Sequence, residues 1–143
     1  MKKPEEKSAL LGDLRIGKEV DHENYRFYFG NEDCHYPGTL ISGCKMLEKC
    51  IDFATSYYAR REGGISNLFV HVDGDILRQV HVSDVMECIV WPVKEGNTSR
   101  VCGFEMYKLQ EYCKETDHFD VLEEPILTVK GEVTLVLGSI PHA

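Results

Sequence analysis

Residues 33–55 of this 143-residue chain read DCHYPGTLISGCKMLEKCIDFAT, in which a histidine–tyrosine pair and a Pro-Gly break run straight into an apolar repeat. Ser42 is the expected N-cap, because its hydroxyl suits a free amide of a first helical turn. From there Cys44, Leu47, Ile51, Ala54 and Tyr58 recur at three- and four-residue intervals, which is one face of a helix. Arg60 and Arg61, then Gly63 and Gly64, end it, with cations at the negative end of the dipole and glycine beyond. Met46 and the aromatic side chains on this helix are expected in the core.

The flanking sequence reads as strand. NYRFYFG (24–30) precedes the loop, with a further possible strand in LRIGKEV (14–20). After the helix come NLFVHVDG (67–74), ILRQVHV (76–82), VMECIVWPV (85–93), RVCGFEMYKLQEYC (100–113) and ILTVKGEVTLVLG (126–138). Breaks are expected at EGNTS (95–99) and KETDHFDVLEEP (114–125), where turn formers and charges cluster. Residues 1–10 read as a flexible polar arm and 11–143 as one domain. One long helix with an antiparallel sheet is an α+β plan in which the helix covers a single sheet face. The remaining face or edge then invites a second copy, so at least a homodimer is expected.

Composition removes several function classes. A net charge of −8 argues against a nucleic-acid binder, which needs clustered Lys and Arg. The six cysteines, Cys34, Cys44, Cys50, Cys88, Cys102 and Cys113, form no Cys-x-x-Cys pair, so neither zinc nor any other metal is expected. Their placement in apolar runs suits small buried hydrophobes in a reducing compartment. No signal peptide or membrane span is visible, and the cytoplasm is the expected location.

The segments carry a resemblance. DCHYPGTLISG (33–43) resembles the Asp-x-His-Tyr-x-Gly-x-Leu-x-x-Gly segment of β-alanyl-CoA and 3-aminobutyryl-CoA ammonia-lyases, and FVHVDGDI (69–76) is similar to their strand ending in Asp-Gly-Asp. Residues 80–108 resemble the family's next hairpin and 123–135 its closing strand, so the likeness runs from Asp33 to Leu135. The connection after Asp75 is shorter than the family's, which bears on substrate choice. Residues 77–88 also resemble acyl-CoA thioesterases, and HYPGTLISGCKMLE (35–48) resembles the loop and helix glutamate of β-hydroxyacyl dehydratases, with Glu48 at the matching place. The resemblance implies a hotdog fold, one central helix wrapped by an antiparallel sheet, and an enzyme acting on acyl-CoA.

For a 3-aminoacyl-CoA, elimination of ammonia needs an oxyanion site, a base and a site for the leaving ammonium. Backbone amides near Ser42 and Gly43 suit the oxyanion, because they are free and lie at the positive end of the dipole; Gly38 and Gly43 read equally as turn and packing glycines. The base candidates are His35, Glu48, Asp33, Asp73 and Asp75. His35 reads as base or as a loop-fixing residue. Glu48 reads as a partly desolvated carboxylate with raised pKa or as a solvated surface residue. Asp73 and Asp75 read as receivers of the ammonium or as a plain Asp-Gly turn, and Tyr36 as a hydrogen-bond donor or a packing residue. His71 and His81 read as sheet residues, and His22, His118 and His142 as loop or terminal ones. Arg78, Lys94, Arg100 and Lys108 are the cations available for coenzyme A phosphates, and the only cofactor implied is the coenzyme A of the substrate itself. Three readings follow: a carbon–nitrogen lyase, a thioesterase using Glu48 or Asp52 to activate water, and a non-catalytic acyl-CoA-binding module.

Overall fold

The computed structural model describes residues 21–34, 38–62 and 68–136. The expected arm, the possible strand at 14–20, His35, Tyr36, Gly63, Gly64 and His142 therefore lie outside the described residues. Strand β1 (Glu23–Tyr28) leads through a 3-10 turn (Asn31–Asp33) to helix α1 (Gly43–Glu62). Four strands follow: β2 (Leu68–Ile76), β3 (Val85–Glu95), β4 (Ser99–Cys113) and β5 (His118–Val136). They form one antiparallel sheet in the order β1-β3-β4-β5-β2, with α1 packed across β2, β3, β4 and β5. This is the hotdog arrangement that the resemblance implies.

Ser42 caps α1 as expected: Lys45 N donates to its Oγ at 3.2 Å, and Lys45 N and Met46 N donate to its carbonyl at 3.1 and 3.2 Å. The buried side of the helix is Met46, Cys50, Ala54, Tyr57 and Tyr58. This corrects the phase of the expected stripe by under a quarter-turn. Cys44 is exposed, and Leu47 and Ile51 are half-buried flanks. Alternate residues of the sheet meet this face: Met86, Cys88 and Val90 from β3, Cys102, Phe104 and Met106 from β4, and Val129, Val133 and Leu135 from β5. Fully burying a large apolar side chain is worth about 1.5–3 kcal/mol. A core of this composition therefore holds without staples, and all six cysteines are free thiols.

Two segments differ from expectation. Residues 77–84 form no strand; they cross from β2 to β3 with a single bridge, Leu40 to His81. Conversely, the break expected over 114–125 shrinks to the turn before His118, because the first part of β5 pairs with the end of β4 from His118↔Cys113 to Val121↔Gln110. Strand β2 lies at the sheet's edge, where Leu68, Phe69, Val70 and Ile76 are exposed. Apolar side chains beside a row of unpaired edge amides and carbonyls are a surface that proteins usually cover.

Candidate active site

The loop between β1 and α1 is tied down at both ends. Asp33 accepts the Gly30 amide through Oδ2 at 3.0 Å, closing the 3-10 turn, so its carboxylate is engaged in its own loop. Cys34 bridges to Ile41, and the segment after Gly38 is laced to the crossover: Ile41 N donates to Val80 O at 2.9 Å and Val82 N to Thr39 O at 2.8 Å. Gly38 has φ +86°, a left-handed conformation that favours glycine. The turn reading of that glycine is thus accounted for by its backbone. His35 and Tyr36 fall between Cys34 and Gly38, outside the described residues.

The start of α1 opens onto a cleft of about 680 Å³, lined by Leu40, Ile41, Gly43, Met46, Ile76, Leu77, Arg78, Gln79, His81, Lys108, Glu111 and Ile126. A side chain on Gly43 would bring Cβ within 3.1 Å of Ile76 Cγ1, so glycine lets the helix start meet the end of β2. In any helix the first amides have no intrahelical acceptor. With the Lys45 amide taken by Ser42, those of Gly43 and Cys44 have no acceptor among the described residues. No acidic residue sits in the first turn of α1, so the positive end of the dipole is not neutralised there. One wall of the cleft is apolar, formed by Leu40, Ile41, Met46, Ile76, Leu77 and Ile126, and the helix end presents the positive pole of its dipole.

The polar side of the cleft contains residues that sequence reasoning placed elsewhere. Lys108 is almost fully buried, and its Nζ lies 3.1 Å from Asp84 Oδ2 and 3.1 Å from Glu111 Oε1. Asp84, also buried, accepts the His81 amide at 2.8 Å through the same oxygen. The His81 ring is held by Thr39, Nδ1 to Oγ1 at 3.0 Å. A signal for Lys108 was present, since it continues the inward alternation Cys102, Phe104, Met106 along β4. For His81 there was none, because its surroundings depend on a crossover that read as strand.

The remaining expected residues scatter. Glu48 projects to solvent from α1, its side chain 57% exposed and 3.4 Å from Lys45 Nζ, which within the single chain is the solvated one of its two readings. Asp52, one turn on and still reached by solvent, has its carboxyl raised above the ordinary value by partial desolvation first and the charge of Glu48 next. Asp73 and Asp75 point to the sheet face opposite the helix, into a shallow hollow with Trp91, Glu105, Lys130 and Glu132. Gly74 between them faces Leu47 and Phe104 on the helix side. Within the chain the sheet therefore separates those carboxylates from the helix start.

The cations do not form one patch either. Arg78 is at the cleft, whereas Lys94 adjoins Glu95, which pairs with Arg61 at the other end of the 20-residue helix, roughly 30 Å away at 1.5 Å per residue. Arg100 is engaged within the fold: it is buried, with Nε 2.9 Å from Glu62 Oε1 and Nη1 donating to Gly96 O and Ser99 O. The core thiols are inert. Hydrogen bonding to Cys50 and burial push Cys88 up, and burial pushes Cys102 up to about 12, so neither supplies a thiolate near neutral pH. Among the described residues no three His, Cys, Asp or Glu side chains gather as a metal site.

No family model matches the chain. It is 33% identical over 110 residues, 73% of this chain and 85% of the relative, to 3-aminobutyryl-CoA ammonia lyase of Acetoanaerobium sticklandii. Its fold matches β-alanyl-CoA:ammonia lyase from Clostridium propionicum with a TM-score of 0.75 and 28% identity, over 85% of this chain and 86% of that one. A hexameric thioesterase from Yersinia pestis shares the fold at a TM-score of 0.68 and 17% identity, over 80% of this chain and 86% of that one. The identity and coverage of the first of these relatives, on a hotdog fold whose cleft opens at the helix start, establish that the chain belongs to the 3-aminobutyryl-CoA ammonia-lyase family of carbon–nitrogen lyases.

Proposed function

We propose that the protein eliminates ammonia from a 3-aminoacyl-CoA, of the β-alanyl or 3-aminobutyryl kind, to give the enoyl-CoA, and catalyses the reverse addition. The observation that carries this reading is the 33% identity to a 3-aminobutyryl-CoA ammonia lyase across 85% of that enzyme. The cleft at the start of α1 supports it. The thioester carbonyl lies against the amides of Gly43 and Cys44, where negative charge developing on oxygen meets the donors of the first helical turn and the helix dipole. The acyl group and the pantetheine arm pack along Leu40, Met46, Ile76 and Ile126, and Arg78 at the cleft serves a coenzyme A phosphate. His35 and Tyr36, which precede the helix in sequence, are further candidates for proton transfer and for a hydrogen bond to the thioester. The reaction needs no cofactor beyond the coenzyme A that the substrate carries.

The protein works as a homo-oligomer built through the open edge of β2, whose exposed Leu68, Phe69 and Val70 need cover. The hexameric assembly of the thioesterase that shares the fold supports this. Incubation with β-alanyl-CoA and with 3-aminobutyryl-CoA, following free ammonia and free thiol separately, tests the activity. Ammonia is expected to appear with little thiol. Thiol released from ordinary acyl-CoA, with no ammonia from either amine substrate, would replace the lyase with a thioesterase.

A further inference from the structure

We propose that His81 is the catalytic base of the cleft, taking the proton from the carbon next to the thioester carbonyl. The inference rests on the ammonia-lyase reading and names the group that moves its proton. Four described ionisable side chains line the cleft: Arg78, His81, Lys108 and Glu111. Arginine does not give up its proton in proteins. Lys108 Nζ is engaged by two carboxylates, Asp84 and Glu111, at 3.1 Å each. Glu111 is tied through Oε1 to that ammonium, which leaves it acting first as a counter-charge. Of the three that can exchange a proton, His81 is the one whose side chain stands outside the Lys108 ion pairs, held only through Nδ1 among the described residues.

Its geometry suits the task. The Thr39 hydroxyl holds Nδ1 at 3.0 Å, which fixes the ring and leaves Nε2 as the second nitrogen. The backbone beneath the ring is clamped by the Asp84 carboxylate on the His81 amide at 2.8 Å and by the bridge to Leu40. Asp84 is itself pinned by Lys108. A ring fixed by a hydroxyl above a backbone fixed by a buried ion pair is preorganised for proton transfer. Imidazole is also the side chain whose ordinary pKa suits a base and an acid in one cycle near neutrality.

The proton and electron count closes. Nε2 of neutral His81 takes the α-proton, and the electron pair of that C–H bond passes into the thioester as an enolate whose oxygen faces the amides of Gly43 and Cys44. The pair then forms the carbon–carbon double bond as the β-C–N bond breaks, and nitrogen leaves with the bonding pair as ammonia. The imidazolium hands its proton to that ammonia, giving ammonium and restoring neutral His81.

His81→Gln in the full chain is the direct test, with Thr39→Val as the companion that keeps the ring but frees it to turn. His81→Gln is expected to lower kcat by about a hundredfold or more and to change KM by less than about threefold. It should also abolish deuterium uptake from D2O at the α-carbon of 3-aminobutyryl-CoA. Thr39→Val is expected to lower kcat by about tenfold with the same uptake chemistry retained. If His81→Gln keeps wild-type kcat and deuterium uptake, the proposal is overturned while the lyase reading stands. Should His81→Gln not fold, a Thr39→Val variant with unchanged kcat overturns it in the same way. A wild-type protein that forms no ammonia and exchanges no α-deuterium overturns both.

Discussion

At the C-terminal end of α1, Arg60 pairs with Glu23, Arg61 Nε lies 2.9 Å from Glu95, and Arg100 Nε lies 2.9 Å from Glu62. These cations complement the negative end of the dipole and stitch β1, the β3–β4 hairpin and the helix together. At the N-terminal end no carboxylate sits in the first turn, and the helix opens onto a cleft of about 680 Å³. The nearest ion pair, Lys108 with Asp84 and Glu111, is turned toward the crossover and carries His81 above it. The same kinds of side chain thus close one end of the helix and equip the other. Substitutions at the closed end should cost stability without chemistry, and substitutions at the open end should cost chemistry.

The largest stability effect is expected where this division is least clean. Lys108→Met leaves Asp84 buried without a counter-charge, and breaking a buried pair from one side costs about 3–5 kcal/mol. Urea denaturation should show that loss, with part of it recovered when Asp84→Asn is added, and turnover should fall because the His81 backbone loses its clamp. A loss under about 1 kcal/mol, the size of a surface pair, would break the comparison at this end.

Arg100→Ala comes next. It removes a charged hydrogen bond to Glu62 and two donations to the carbonyls of Gly96 and Ser99, worth about 2–3 kcal/mol together. KM for acyl-CoA should stay unchanged. A raised KM with little loss of stability would return Arg100 to the substrate site.

The smallest effect belongs to Asp52. Partial desolvation, and then the charge of Glu48, hold its carboxyl above the ordinary value of 3.8, so the folded chain binds that proton more tightly than the unfolded one. The stability this preference provides is complete below pH 3.8 and is lost as the pH rises through the folded-state pKa. Asp52→Asn should therefore melt slightly above wild type at neutral pH, and the difference should fade as the pH falls below 3.8. A constant offset at every pH would mean that the carboxyl is not the cause.

Much of the fold was legible in local pattern. The helix start at Ser42, strand β1, and the strands before and after the β3–β4 turn follow from capping chemistry and alternation. The errors have physical sources. Cys44 and Met46 both fit an apolar stripe, and only packing against the sheet selects Met46; the same rotation carries Glu48 from the flank of the stripe into water. Residues 118–125 are rich in acidic side chains and end in proline, yet they extend β5 because the end of β4 offers partners. The candidate site was less legible. The loop and helix start could be read from residues 33–43, whereas Asp84, Lys108, Glu111 and His81 come together only through β3–β4 pairing and the crossover. Arg100 looked like any surface cation because Glu62, 38 residues away in sequence, supplies its partner.

The central claim is that the open end of α1 supports addition and elimination at the β-carbon of an acyl-CoA. Crotonyl-CoA mixed with ammonium and the full-length protein, with products resolved by mass, tests it most directly, since a catalyst of elimination accelerates addition equally. The account predicts 3-aminobutyryl-CoA, carrying one deuterium at the α-carbon when the reaction is run in D2O. Free coenzyme A released with no amine adduct would contradict it.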